Sequence, residues 1–407
     1  MIVAADIILK GNGEILHSGA IRIEGNTIIE CAPLAEICVK REEHVIDLKD
    51  SILSPGFINA HCHLDYQNFK GVIPPQKSFT EWIKKINALK NDFTNQDYCN
   101  SIHQGYEALL GTGTTTVLNI AAIPEIFPYL NPPPLRVWWF MEMVDIRSRL
   151  GTEEALIGFF FLLDKTKEWL GGIGLSPHAP YTATTGLYRH VRRCSDFMNM
   201  LVSTHLAESR EEQEMFLYEN GRLFDFLQKL GRDMSDCGQG SVFSSLWESG
   251  VMSSDWILAH LNYLQEYDFE ILKQLRPKVV HCPRCHSYFG HQRFEMERLE
   301  KVGILVALGT DSLASNHSLD LRAEVRHARH HYDHKESVEW WRMMTSHGAW
   351  ALKQEGKLGV IQEGALADLV AFPISGSSDY FNQVIESRGR PPFVMVNGKT
   401  VNLSEKL

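Results

Sequence analysis

From Gly56 onward the chain repeats one unit: a short apolar run that ends on polar residues, then a longer amphipathic stretch. The runs are Gly56–Ala60, Thr114–Asn119, Val137–Met143, Gly172–Leu175, Leu201–Thr204, Trp256–Ala259, Lys278–Val280 and Ile304–Leu308. Helix-like segments such as Ser78–Lys90, Gln96–Leu110, Arg210–Lys229 and Leu319–His331 lie between them. Eight alternating strand and helix units predict an α/β fold of the TIM type, a (β/α)8 barrel. The length of 407 residues suits one such barrel with a small appendage. Gly231–Ser254, with its Gly, Ser and Asp, reads as an insertion between two units.

The two ends have another texture. Ile2–Val3, Asp6–Leu9, Ile15–Leu16 and Ala20–Glu24 are short strand candidates, separated by turn signals at Gly11–Gly13 and Gly25–Asn26. Leu358–Ile361, Ala367–Phe372 and Phe393–Val396 match them at the other end, and Val396-Asn397-Gly398-Lys399 is a hairpin turn. Two β-rich ends predict a single small β-sandwich made from residues 1–55 and 356–407, with the barrel over 56–355.

The net charge of −10 argues against nucleic-acid backbone and anionic membrane as partners. No apolar stretch is long enough for a bilayer; the run from Leu156 to Leu163 is far too short. The first ten residues lack the pattern of a signal peptide. The eight cysteines are scattered, which fits reduced thiols and a cytoplasmic location. A homodimer stays open.

In a parallel barrel the C-terminal ends of all strands open on one mouth. His61-Cys62-His63 follows the first run, and residues two apart in an extended chain point the same way. His205 ends the run Leu201–Thr204, with Glu208 three residues on. His260 ends Trp256–Ala259, His281 ends Lys278–Val280, and Asp311 follows Leu308-Gly309-Thr310. Each has a plain alternative: an imidazole capping backbone groups, a core histidine, or an Asp at a helix N-cap. Their joint placement at strand ends argues for one site. Imidazole and carboxylate suit one divalent cation, zinc first and iron(II) second. His61, His63, His205 and Asp311 are the expected ligands, and Glu208 is spaced to act as acid and base.

Other features point elsewhere. Cys282-Pro283-Arg284-Cys285 lacks the second close cysteine pair of a zinc ribbon, so with His281 and His286 it reads as pocket lining. His327, His330 and His331 read as a solvated helix face, and Trp340–Trp341 as core or interface. Gly111-Thr112-Gly113 leads into a strand and is no phosphate loop.

At these residues the sequence resembles the amidohydrolase superfamily, in its group of chlorohydrolases and heterocycle deaminases. The resemblance starts at Leu53–His63 and runs through Ser176–Thr182, Thr204–Ser209, Leu258–Asn262 and Gly309–Asn316 to Gly364–Leu369. It implies a one-metal barrel with a β-sandwich from both termini. It also implies His61, His63, His205 and Asp311 as ligands, Glu208 as proton shuttle and His260 beside the attacking water. His178 and Ser315 fall where the group contacts substrate. Two-metal relatives carry a bridging lysine or acid at the fourth strand; Gly174–His178 has neither.

The segment His281–His291, with Phe79-Thr80-Glu81-Trp82, is similar to the aminodeoxyfutalosine deaminases of the alternative menaquinone route. That likeness implies a purine-type nucleoside as substrate, with 6-aminodeoxyfutalosine as best candidate. Its benzoate calls for a cation, and Arg284 is the first choice. Glu81, Trp82 and His281 join His178, Ser315 and Arg284 as expected substrate contacts, and Phe79 and Tyr181 can pack on the rings. Alternatives are a methylthioadenosine or adenosylhomocysteine deaminase, another heterocycle deaminase or dechlorinase, and an inactive binding module.

Overall fold

A computed structural model describes residues 1–146, 158 and 162–402. Most of the Leu156–Leu163 run lies outside the described residues. Among those described, no helix is long and apolar enough to cross a membrane.

All eight runs are strands. They form β5 (Phe57–His63), β6 (Thr114–Ala121), β7 (Arg136–Met143), β8 (Gly171–Pro177), β9 (Leu201–Leu206), β10 (Ile257–His260), β11 (Lys278–His281) and β12 (Val306–Leu308). Each pairs in parallel with the next. After β12 the chain passes through Gly309 and Thr310 into β13 (Asp311–Ser312), which pairs with β5. The Gly309 N–H donates to the His281 carbonyl and the Thr310 N–H to the His61 carbonyl, both at 3.0 Å. This segment therefore bonds to the last strand on one side and the first on the other, and the sheet curls back onto its start. Glycine is required there: a Cβ at Gly309 would lie 2.8 Å from the His61 carbonyl oxygen and 3.0 Å from Cys282 Sγ.

Strand alternation divides the core. Ile58, Ala60, Leu118, Ile120, Trp138, Phe140, Leu201, Ile257, Val280 and Ala307 pack together in the barrel interior. Phe57, Val117, Val137, Trp139, Val202, Leu258 and Val279 belong to the larger core shared with the helices. The helices start where side chains satisfy their free N–H groups. Ser78 accepts from the Glu81 N–H at the start of α1 (Phe79–Lys90). Thr94 and Asp97 form a reciprocal cap on α2 (Asn95–Leu110). The Arg210–Lys229 stretch is broken by Gly221, at φ 97°, into Arg210–Tyr218 and Arg222–Lys229. The segment Gly231–Ser254 contains a short helix, Val242–Glu248.

The two ends share one seven-stranded sheet. Its strands are β1 (Ile2–Leu9), β2 (Ile15–Glu24), β3 (Thr27–Pro33) and β4 (Val45–Pro55), then β14 (Leu369–Pro373), β15 (Phe393–Val396) and β16 (Lys399–Thr400). β14 runs antiparallel to β4, which joins the ends. Asn397 and Gly398, both at positive φ, make the expected hairpin turn between β15 and β16. Leu358–Ile361 is not a strand. Gly359 sits at φ 66° with its Cα against the Thr345 backbone, so the chain bends there, although Leu358 and Ile361 are buried.

One buried ion pair ties the two parts. Arg136, at the start of β7, donates from Nε to Asp368 Oδ2 at 2.5 Å and from Nη2 to Asn397 Oδ1 at 2.6 Å. Asp368 Oδ1 accepts from the Asn397 N–H at 2.6 Å. Removing one partner of such a pair strands the other charge. Asp368→Ala is expected to lower stability by about 3–5 kcal/mol in urea unfolding; a loss below about 1 kcal/mol would show that the pair does not couple the terminal sheet to the barrel.

Candidate active site

The strand ends deliver a cluster of buried imidazoles. His61 and His63 end β5, His205 lies in β9 and His260 ends β10. His61 faces His63, His205 and His260 with ring centroids 5.2, 4.8 and 5.5 Å away. Asp311 Oδ1 lies 3.8 Å from His61 Nε2 and 3.6 Å from His63 Nε2. The turns that aim these groups are strained: Ala207, His260, Leu261 and Asp311 all have φ between 48° and 79°. Left-handed backbone at non-glycine residues costs on the order of 1–3 kcal/mol each and persists where the surroundings over-determine it.

Donor chemistry tests whether a cation fits. Both ring nitrogens of His61, Nδ1 of His63 and Nε2 of His260 are buried without a hydrogen-bond partner. His205 Nδ1 lies 2.9 Å from the His178 carbonyl, so it carries the proton and leaves a lone pair on Nε2. That Nε2 sits 3.2 Å from His63 Nε2. A cation shared by the two nitrogens satisfies both. Burial, reinforced by the neighbouring imidazoles, pushes His61, His63 and His260 well below the ordinary histidine range. Burial likewise brings His205 down to about 4. Neutral imidazoles are what a metal ligates. His61, His63 and Asp311 present ligand atoms mutually within 4.8 Å, as do His61, His205 and His260. The residues fit one divalent ion.

Asp311 is oriented from behind. Its Oδ2 accepts from Ser315 Oγ at 3.0 Å and from Cys285 Sγ at 2.8 Å, which leaves Oδ1 facing the imidazoles. Glu208 lies 3.8 Å from His260 Nε2. Burial, with Asp311 and Glu212 nearby, raises its carboxyl well above the usual range, which favours the protonated form. The Glu208 N–H donates to Glu212 Oε2 and its carbonyl accepts from Asn262 Nδ2, which fixes the turn.

His178 also joins the cluster, 4.9 Å from His205 by ring centroid. Thr182 Oγ1 donates to the Ala179 carbonyl, so it accepts from His178 Nδ1 at 2.5 Å. His178 Nε2 lies 3.9 Å from Glu142 Oε1. Burial lowers this imidazole to about 3. An aromatic wall continues outward from His178 through Tyr181, Phe79, Trp82 and Phe289, each ring 5.1–6.2 Å from the next.

Three expected contacts sit apart from the cluster. Glu81 is exposed and pairs with Lys84 at 2.9 Å. Arg284 donates from Nη1 to Ser318 Oγ at 2.7 Å, and its N–H donates to Glu324 Oε2 at 2.8 Å. The His281 ring stacks on Phe294 at 3.9 Å. Alternation along β11 explains His281: Val280 fills the interior, so the next side chain turns outward. It lines a separate cavity of about 250 Å³ with His286, His291, His327 and His331. His327 is therefore half-buried pocket lining and not the solvated face its charged neighbours suggested. Cys285, read from the sequence as pocket lining, holds Asp311 instead, and Glu142 has no role in the sequence reading, although it lies at the polar end of an apolar strand just as the histidines do.

Residues 52–401 match the amidohydrolase family. The chain belongs to that family. It is a hydrolase acting on C–N bonds. The 5-methylthioadenosine/S-adenosylhomocysteine deaminase of Thermococcus sibiricus is 30% identical over 392 residues, covering 89% of this chain and 84% of its own. Among solved structures, Helicobacter pylori aminofutalosine deaminase in complex with methylthio-coformycin has a TM-score of 0.87 at 21% identity, covering 98% of this chain and 100% of its own. A zinc-bound adenosine deaminase of Xanthomonas campestris has a TM-score of 0.82 at 21% identity, with 98% and 92% covered. These two likenesses show the fold.

The purified protein is expected to hold one tightly bound divalent ion per chain by elemental analysis; two would contradict the donor set. Removing the hydrogen bonds behind a ligand typically costs about 10- to 100-fold in metal affinity. Cys285→Ala/Ser315→Ala is expected to lose that much in a competition with a chelator, and unchanged affinity would show that Asp311 needs no support.

Proposed function

We propose that this chain hydrolytically deaminates a 6-aminopurine nucleoside, with zinc as the bound ion. The observation that carries this is the buried Glu208 carboxyl lying 3.8 Å from His260 Nε2 beside a cluster of residues that fits a cation, with burial favouring the proton on Glu208 and the neutral form of His260. A divalent cation held by His61, His63, His205 and Asp311 supplies Lewis acidity that lets water act as a nucleophile near neutral pH. His260 Nε2, which has no partner in the protein, and Asp311 orient the attacking water and take its proton. Glu208 gives its proton to the ring nitrogen next to the carbon under attack, which makes that carbon electrophilic. After water adds, Glu208, now a carboxylate, takes the proton of the new hydroxyl and passes it to the amine; the carbonyl forms, the C–N bond breaks and ammonia leaves, and the proton held by His260 and Asp311 restores the Glu208 carboxyl. General acid–base work of this kind contributes about 10²–10⁴-fold.

Within that class, the likeness of His281–His291 and Phe79–Trp82 to aminodeoxyfutalosine deaminases supports 6-aminodeoxyfutalosine, and the aromatic wall offers surface for its benzoyl end. A second reading, methylthioadenosine or S-adenosylhomocysteine, draws support from the Thermococcus sibiricus relative and from Arg284. That guanidinium already has Ser318 as partner, which weakens its claim to a substrate carboxylate.

Ammonia release from a panel of adenosine, methylthioadenosine, S-adenosylhomocysteine and 6-aminodeoxyfutalosine separates the readings; release from none of them sinks the proposal. Arg284→Met is expected to change kcat/KM for the benzoate-bearing nucleoside and for adenosine alike. Glu208→Gln is expected to keep its metal and lose about 10²–10⁴-fold in kcat. Loss of the metal, or near-normal turnover, would overturn the assigned role.

A further inference from the structure

We propose that the histidine-lined cavity beside β11 is a second ligand site, built for a tetrahedral oxyanion of the phosphate type. The site is independent of the deaminase reading. β11 contributes His281, the short helix Pro283–Tyr288 contributes His286, and the loop after it contributes His291, Arg293 and Phe294. The end of the helix Leu321–Ala328 and the turn that follows close the far side with His327, His331 and Tyr332. Five imidazoles and one guanidinium therefore line about 250 Å³, and no carboxylate is among the lining residues.

The inner rings are held in place. His281 stacks on Phe294 with centroids 3.9 Å apart. His286 stands edge-on to His281 and to His291, 5.3 Å from each. Their nitrogens are not used up by the fold. His281 Nδ1 and His291 Nε2 are buried without a hydrogen-bond partner. Asn262 Nδ2 donates to the Glu208 carbonyl, so Asn262 Oδ1 accepts from His286 Nδ1 at 3.0 Å. That bond leaves His286 Nε2 with a lone pair. Buried polar nitrogens are paired in native proteins, and a ligand supplies the partners that the chain does not.

Open imidazoles take either a metal ion or an anion. A metal needs several lone pairs converging on one point. Among the described residues, this cavity has no three ligand atoms mutually within 4.8 Å, unlike the cluster at the strand ends. Nitrogens spread around a wider space suit an ion with several acceptor oxygens, each taking one N–H. The charges nearby agree. Arg284, His330 and His331 act on His327, and each inner histidine is held low by burial first and by other imidazoles after it. The nearby acids are engaged: Glu297, with Glu295 close by, pairs with Arg293, and Glu324 accepts from the Arg284 N–H and Asn316 Nδ2. An oxyanion reverses this balance. It favours the imidazolium form, and His286 must gain a proton at Nε2 before that nitrogen can donate. Histidine pKa values are then higher in the bound state than in the free one. Binding takes up protons, and affinity falls as pH rises through the bound-state values.

Sulfate keeps its charge between about pH 6 and about pH 8, so its titration isolates the protons of the protein. Calorimetry on the metal-loaded protein is expected to show saturable sulfate binding with net proton uptake, read from buffers of different ionisation enthalpy. Affinity is expected to be about tenfold higher at about pH 6 than at about pH 8. His327→Ala/His331→Ala, on the outer wall, is expected to weaken binding about 10- to 100-fold, the worth of hydrogen bonds to a charged group. His286→Leu gives the same readout if the double variant does not fold. Inorganic phosphate and a sugar phosphate identify the source: a tighter sugar phosphate means that the group arrives as an ester, and the reverse order means a free ion. Unchanged affinity in either folded variant puts the anion elsewhere, such as at the bound cation, and overturns the inference. Binding without proton uptake, or no saturation at millimolar sulfate, overturns it as well.

Discussion

Gly309 and Thr310 each give a backbone hydrogen bond to a different strand, one to β11 and one to β5. That division curls the sheet onto itself, and it also sets Asp311 directly beside His61 and His63. A side chain at Gly309 would meet the His61 backbone, so closure of the barrel and assembly of the cation site depend on the same missing Cβ. Once the sheet closes, its parallel strands all end on one mouth, and residues 251 positions apart become neighbours without any further device.

What gathers there is electrostatically expensive. Several imidazoles share a space with little water, and burial keeps them neutral. The same burial pushes the Glu208 carboxyl well above the usual range. The bases are thus free to ligate or accept, and the acid is ready to donate, at one pH and from one cause. Positive φ at Ala207, His260 and Asp311 marks where the backbone bends to make this arrangement. Those residues lie between strands anchored in the core, which is what can hold the strain.

The barrel was legible because its signal repeats: each strand is an apolar run, and each ends on polarity. The metal cluster was legible because imidazole at a strand end is conspicuous. Side-chain direction was harder to read. His281 ends a strand like His260, yet the register of β11 turns it to the outer face against Phe294. Arg284 follows His281 closely, but the short helix Pro283–Tyr288 carries it to Ser318. Glu142 obeys the rule that picked out the histidines and was passed over because a lone Glu after apolar residues looks ordinary. The contact of Cys285 with Asp311 could not be read from sequence at all, since it depends on how that helix meets β13.

Strand β7 joins these themes in eight residues. Its first residue, Arg136, is locked to Asp368 and Asn397 at the terminal sheet. Its seventh, Glu142, stands near the imidazole cluster, 3.9 Å from His178 Nε2. At roughly 3.3 Å per residue the two are about 20 Å apart. The guanidinium at the lower end is satisfied by the chain itself, so its burial serves stability. The carboxylate at the upper end is half-buried and faces the groups at the mouth. The N-terminal face of a barrel tends to carry stability and the C-terminal face chemistry. Here a single strand carries both: a buried ion pair that joins it to the terminal sheet at one end, and a half-buried carboxylate beside the imidazole cluster at the other.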